Sequence, residues 1–294
     1  MPRDQPAANH ENEERAVELT VMSLNLYNGA DEGRWEGMVP LIKQVNPQVL
    51  LLQEAVGWGT EPDDPADADR LATAERDLGM RGKIAPTRTT FHTGILVDED
   101  RVSWGDWITK YNHSSGHGHS ELTVTVPGLS QPLVLISAHL SPYSAVTAAQ
   151  EVSVLIRRAH RAGEYGILAG DMNHIPPGDE PPPWDEIPAH NRVARSVIDD
   201  DHENLRANHV VGHTLARGGM VDVAAHLADE RDDPSLRAWT AHEGKVRVDQ
   251  VHLTEALLPA LDDYWTVPMG VWSDHDGVVV RLDLKRLDAT PQSS

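Results

Sequence analysis

Residues 167 to 173, Ile-Leu-Ala-Gly-Asp-Met-Asn, constrain the fold of this chain more than any other stretch, because a short apolar run there closes on an Asp and an Asn two positions apart. Residues two apart in a strand share a face. Asp171 and Asn173 should therefore leave a buried, rigid element side by side, and a carboxylate next to an amide can hold a water and a phosphoryl oxygen together. The same pair also suits a buried strand that ends in an Asx-type turn, each side chain satisfying nearby backbone groups. The choice between the two depends on how the other strands end.

Leu19 to Leu26 alternates as a half-buried strand and runs out through Asn25, Tyr27, Asn28 and Gly29. Gln48 to Glu54 is almost wholly apolar, which suits a strand buried on both faces, and it ends on a carboxylate. Glu54 is thus a candidate metal ligand, or else a Glu exposed at a strand end. Leu133 to Ala138 delivers His139, a functional imidazole or a loop cap. Lys245 to Leu253 alternates as a strand with Asp249 in its middle, and Ser273-Asp274-His275 precedes a closing strand over 277–284. Further strand-like runs lie at 93–97, 101–109 and 120–126. Helical spacing marks 34–46, ended by Pro47, and 144–161, whose apolar side carries Val146, Val152 and Ile156. An acidic loop leads into a helix over 63–78, and helical patches fill 190–230, with a tight approach at Gly218-Gly219.

Three loops invite a substrate role. Asn112 to His119 holds three imidazoles, at 113, 117 and 119, but His119 is followed by Ser120 and Glu121 and not by further ligands, so it reads as a mobile substrate-side loop more than as a metal cage. His174 to His190 is too rich in proline for regular structure and should be a rigid surface loop beside the centre; its Trp184 is a stacking platform or, more in keeping with such a loop, its apolar anchor. Met80 to Gly94 carries Arg81, Lys83 and Arg88 without one acid, which fits a phosphate-facing edge or plain surface.

At 294 residues the chain can form one large domain, here 19–287, between polar tails at 1–18 and 288–294. It has no cysteine, so a bound metal must be held by oxygen or imidazole. Against 46 acidic residues stand 25 basic ones, a formal charge of −21 that excludes coating nucleic acid by bulk electrostatics but not a local basic patch. No apolar run is long enough to span a membrane, and the first residues lack the basic-then-apolar order of a secretory signal, so a cytoplasmic protein is expected.

Asn25, Glu54, His139, Asp171, Asn173 and the Asp274-His275 pair all fall at or just beyond strand ends. Carboxylate oxygens with room for water suit a hard cation such as Mg²⁺ or Mn²⁺, and hard cations partner phosphate oxygens. In order along the chain, Ser23-Leu-Asn25, Leu52-Gln-Glu54, Ser137-Ala-His139-Leu, Gly170-Asp171-Met-Asn173, Arg247-Val-Asp249-Gln and Ser273-Asp274-His275 resemble the motifs of the endonuclease/exonuclease/phosphatase superfamily, deoxyribonuclease-I-like. The resemblance implies a four-layered α/β sandwich, two packed mixed sheets between helices, with a phosphoesterase site at one end. It would make Glu54 the main metal ligand, with Asn25 and Asp274 close to the ion or its waters. Asp171 would orient and deprotonate the attacking water, Asn173 and His139 would contact the phosphoryl group, and Asp249 would fix His275, which serves as base or as cationic clamp. Some family nucleases carry an Asp two residues after the first Asn; Tyr27 stands there, which argues against a second metal and an abasic-site role.

The expected activity is therefore metal-dependent phosphoester hydrolysis. A nuclease acting on DNA or RNA, with Arg88 in its phosphate track and Trp184 at its rim, stands slightly ahead of an enzyme for small or lipid-derived phosphoesters. A silent binding module on the same fold stands behind both, because the constellation is intact. The sequence does not address oligomeric state.

Overall fold

Odd-numbered residues dominate the centre of the molecule. The computed structural model describes residues 18–59, 65–201 and 203–288; the tails expected at either end fall outside these but for Glu18 and Asp288, as does part of the acidic stretch before the second helix. The first sheet contains β1 (Glu18–Asn25), β2 (Val49–Gln53), β3 (Arg81–Ala85), β4 (Thr93–Val97), β11 (Leu261–Val267) and β12 (Gly277–Asp283), in the order β11-β12-β1-β2-β4-β3. The second contains β5 (Ser103–Ile108), β6 (His119–Thr125), β7 (Leu133–His139), β8 (Tyr165–Asp171), β9 (Met220–Asp222) and β10 (Asp249–Thr254), in the order β5-β6-β7-β8-β10-β9. Both are mixed sheets, with β1 parallel to β2 and β7 parallel to β8.

Strand period 2 sorts the side chains into layers. Val21, Val49, Leu51, Leu135, Ile167, Ala169, Val251 and Val280 meet between the sheets in one core. The alternate residues of the first sheet, Met22, Leu24, Leu50 and Leu52, pack outward on α1 (Arg34–Val45). On the second sheet, Val134, Ile136 and Leu168 pack outward on α3 (Ala145–Ala159) and α5 (Val210–Arg217), while α2 (Pro65–Leu78), α4 (Ala189–Arg195) and α6 (Val223–Arg231) complete the helical set used below. Each fully buried aliphatic side chain contributes about 1.5–3 kcal/mol, so the inter-sheet core dominates the stability. The four layers form the α/β sandwich expected from the sequence. No described helix is long and apolar enough to cross a membrane.

Several elements differ from the sequence reading. β3 is a short edge strand, exposed on alternate residues and interrupted by Gly82, so it carries no apolar signature. β9 is three residues long, within what reads as helix. β11 is masked by Asp262 and Asp263, which break its apolar run and pair with Arg281, Arg286 and Arg231 around a register shift. Asp249 opens β10 and does not sit mid-strand: the preceding chain turns back through an Ala241–Val246 bridge, and the Thr240 hydroxyl accepts from the backbone N–H of Val248 and Asp249.

The proline-rich loop is held by charge. The buried Arg247 guanidinium donates two hydrogen bonds to Asp179 of that loop, both at 2.8 Å, and two to Asp222, both at 2.9 Å. Burial alone would raise the Asp222 pKa; Arg247 overcomes this and holds it at about 2. That stabilisation is present above about pH 4 and is lost as pH falls through 2. Arg247→Ala should cost about 3–5 kcal/mol by leaving Asp222 without its counter-ion and Asp179 with Arg237 alone. Urea titrations between pH 7 and 2 should show Asp222→Asn already weakened by about 2 kcal/mol at neutral pH, with a flattened acid limb.

Candidate active site

At one end of the sandwich the inner faces change from apolar to polar. In the second sheet His139 pairs in register with Asp171, and Asp171 with Asp249, so three adjacent strands place an imidazole and two carboxylates in one row. Two residues below, Ser137 continues the same inward face and accepts from Gln53 Nε2 across the sheets at 2.9 Å. In the first sheet Asn25 pairs with Gln53, and Glu54 follows.

Close approach of β7 and β8 depends on Gly170. Its φ of +146° and the Ala138 carbonyl beside it leave no room for a Cβ. Glu54 and Asn173 also take left-handed backbone, at φ +54° and +58°, and such strain in non-glycine residues persists only where the surroundings fix it. Both carboxylate oxygens of Glu54 are engaged, Oε1 by Asn25 Nδ2 at 3.2 Å and Oε2 by the Asn28 N–H at 2.9 Å.

Asn25 joins the two sheets. Its Nδ2 also lies 3.4 Å from Asp171 Oδ2, and its Oδ1 accepts from the Tyr27 N–H at 3.0 Å. As oriented, its amide nitrogen bridges Glu54 and Asp171, and its Oδ1 keeps a second lone pair beyond the one that the Tyr27 N–H takes. Asp171 Oδ1 accepts from the Asn173 N–H at 2.8 Å, and Asn173 Nδ2 donates to Leu140 O at 3.0 Å. The Asx turn that the sequence allowed is formed, and β8 ends at Asp171, so strand period does not extend to Asn173.

Residues 273–275 cross the end of β1. The Ser273 hydroxyl donates to Asn25 O and accepts from the His275 N–H, while His275 Nδ1 and Asp249 Oδ2 are 2.7 Å apart. Burial would lower the His275 pKa; Asp249, helped by Asp171 and Asp274, raises it to about 10. At neutral pH this imidazole is a cation. Burial, with Glu54 and Asp171 nearby, pushes the Asp274 carboxyl up, and its Oδ1 is buried without a hydrogen-bond partner. His139 Nε2 lies 3.5 Å from Asp171 Oδ2.

Glu54 and Asp274 are the carboxylates that fit a divalent ion. The donors are all oxygen, Asp274 Oδ1 lacks a partner, and the two acids repel each other in the absence of a cation. No cluster of three or more His, Cys, Asp or Glu forms a cage among the described residues. A few carboxylates leaving most positions to water and substrate is how Mg²⁺ is bound.

The loops correct several expectations. The His loop packs down through Asn112, Ser115, His117 and His119, where a mobile loop was expected. His117 stacks on His139 with centroids 4.6 Å apart, Phe91 edges both rings, and buried Glu151 accepts from the N–H groups of Gly116 and Ser141. Burial, with His139 nearby, lowers the His117 pKa to about 4, so that ring is neutral. Trp184 is half-buried and packs against Ile175, Ile187 and Val248, as the loop's anchor would. The basic stretch is no phosphate track. Arg81 pairs with Val97, itself opposite Val49 at the far end of β2 from Glu54, and is bound by Glu75 and Glu99; Lys83 covers Trp104. Arg88 remains exposed on the loop that carries Phe91, and among the described residues it has no polar partner.

Sequence reasoning missed Arg195 and Glu151, and gave His117 only as one of three imidazoles in a substrate-side loop. Arg195 lies at the end of α4, its charge acting on Asp171 and His174. Only an unpaired acid on the otherwise basic α3, Glu151, carried any local signal.

This sheet pair and its order define the deoxyribonuclease-I-like fold. No protein-family model matches the chain, and no curated protein does. Among solved structures it is similar to the AP endonuclease LMAP from Leishmania major, with TM-score 0.60 and 14% identity over 96% of this chain and 92% of that one. D. rerio TDP2 complexed with single strand DNA product aligns with TM-score 0.58 and 16% identity over 90% and 98%. The human Nocturnin catalytic domain with bound sulfate gives 0.58 and 14% over 90% and 94%. The shared property is the fold.

The Asp249–His275 pair can be tested directly. In the metal-free protein, the His275 ring should titrate near pH 10 by NMR, and Asp249→Asn should bring its midpoint back toward the ordinary histidine value near 6.5. An unmoved midpoint would assign the shift to Asp171 and Asp274.

Proposed function

We propose that this protein is a divalent-metal-dependent phosphodiester hydrolase acting on nucleic acid. The observation that carries this reading is the in-register row His139–Asp171–Asp249, bridged by Asn25 to the Glu54 carboxylate of the other sheet. Acid, base and cation-binding groups converge there at the ends of rigid strands.

Each residue then has a chemical task. Glu54 and Asp274 hold Mg²⁺ or Mn²⁺, which when bound stabilises charge on the phosphoryl oxygens. Asp171, kept ionised by His275 and His139 against its burial, orients the attacking water and takes its proton. His275, held cationic by Asp249, clamps a phosphoryl oxygen, a role favoured over base because an imidazolium has no lone pair to offer. Asn173 and His139 contact the same group.

The nucleic-acid reading draws on the rim. Tyr27, Tyr143 and Trp272 are exposed, and each lies within four residues of a group that builds the site. Exposed rings beside a phosphate centre suit stacking of unpaired bases. The single-strand complex of the TDP2 neighbour supports the same direction. A second reading, a small phosphoester, is favoured by the neutralised Arg81 and the formal charge of −21.

Parallel assays on single-stranded oligonucleotide, plasmid DNA and a chromogenic phosphodiester decide between them. With Mg²⁺, the oligonucleotide should be cleaved; chelator and Glu54→Ala should abolish cleavage, and Asp171→Asn should lower it by about 10²–10⁴-fold. Turnover of the small ester alone would select the second reading, and silence on all three would overturn the hydrolase.

A further inference from the structure

Among the described residues the buried guanidinium groups, Arg158 and Arg247, are engaged by carboxylates, whereas the half-buried one beside the candidate site is not. Arg158 forks onto Glu121 at 2.6 and 2.7 Å, and Arg247 makes four bonds to two carboxylates. Arg195 is different. Its Nε makes one long contact with Asn173 O, at 3.4 Å, and its Nη1 is buried without a hydrogen-bond partner. Arg34 also has a buried Nε without a partner, but its Nη2 donates to Tyr27 O and its side chain lies over the Tyr27 ring.

Leaving a charged donor buried and unfilled is expensive, so such a group is retained where something else supplies the acceptor. The position says what that acceptor is. Arg195 stands where its charge acts on Asp171 and His174, and its contact with Asn173 places it beside the row that faces the reacting group. The carboxylates within its field are Asp171, turned to Asn25, Asn173 and His139, and Glu243, which is exposed. A planar fork with a free N–H at a phosphoryl centre matches a tetrahedral oxyanion.

We propose that Arg195 is a substrate-binding residue whose Nη1 donates to a non-bridging oxygen of the substrate's phosphoryl group, on the Asn173 side of the centre. This rests on the phosphoesterase reading above and adds to it an anion contact drawn from outside the strand-end motifs. It also gives the proline-rich loop a task. α4 follows directly from that loop, which Trp184 packs down and Asp179 ties to Arg247, so the loop's anchorage sets where the guanidinium stands.

The test pairs binding with kinetics. Calorimetric titration of inorganic phosphate into the full chain, with and without Mg²⁺, is compared among wild type, Arg195→Gln and Arg195→Lys, with Arg217→Gln on the exposed face of α5 as charge control. Hydrolysis of the preferred phosphodiester is measured in parallel, and thermal melts establish that the variants fold. Phosphate affinity should fall about tenfold or more in Arg195→Gln, KM should rise by a similar factor, Arg195→Lys should fall between, and Arg217→Gln should match wild type. Affinity and KM within twofold of wild type in a folded Arg195→Gln would make Arg195 a structural counter-ion of Asp171 and overturn the proposal. So would the lack of saturable phosphate binding to wild type in either condition. Arg195-dependent phosphate binding without hydrolysis would keep the anion site and remove the hydrolase reading.

Discussion

Two sheets packed face to face must fill the space between them with apolar side chains except at the ends, and this is what the site depends on. Along β1, β2, β7, β8 and β10 the same inward parity that supplies Val21, Leu51, Leu135, Ala169 and Val251 to the core supplies Asn25, Gln53, His139, Asp171 and Asp249 at the rim. No loop needs to fold correctly to bring these groups together. Register does it, and a slip of one residue would turn the row outward.

Placing so many acids at a dry end creates an electrostatic debt. Glu54, Asp171, Asp249 and Asp274 act on one another, and burial raises the cost of each charge. Part is met internally, by the His275 imidazolium between Asp249 and Asp171 and by the Arg195 charge near Asp171. The part that is not met lies around Asp274 and Glu54, where one carboxylate oxygen is buried without a partner. An end built this way binds a cation more readily than a surface cluster of equal charge, because little solvent screens it.

What could be read from the sequence follows from the same physics. Asp171, Glu54 and His139 were legible because strand period and an abrupt apolar-to-polar change are local properties of a few residues. Arg195 and Glu151 were not, and His117 was legible only as part of a substrate-side loop, because each reaches the site from a helix or loop whose placement depends on distant packing: Glu151 through the N–H groups of Gly116 and Ser141, His117 through a stacked ring. The misread basic stretch makes the same point. Arg81 and Arg88 are seven positions apart in sequence, but Arg81 opens β3 opposite Val97, at the end of the sheet away from Glu54, and Arg88 lies on the loop beyond the other end of that strand. β11 went unseen because Asp262 and Asp263, which look like a turn, are strand residues neutralised by arginines from elsewhere.

The division between strand-borne and loop-borne groups also separates the chemistry from its selection. Residues that must keep sub-ångström relations, such as Asp171 with His139 and Asp249 with His275, sit on or against paired strands, where backbone hydrogen bonds fix them. Exposed rings near the row, such as Tyr143 and Trp272, stand on connections, which can change without disturbing it. Arg195 falls between these classes. It sits on a helix behind a loop stiffened by prolines and bound by Arg247, so it is held nearly as firmly as the row while standing outside it. A phosphate contact at that position would add an anion-binding group without disturbing the register that builds the strand-end row.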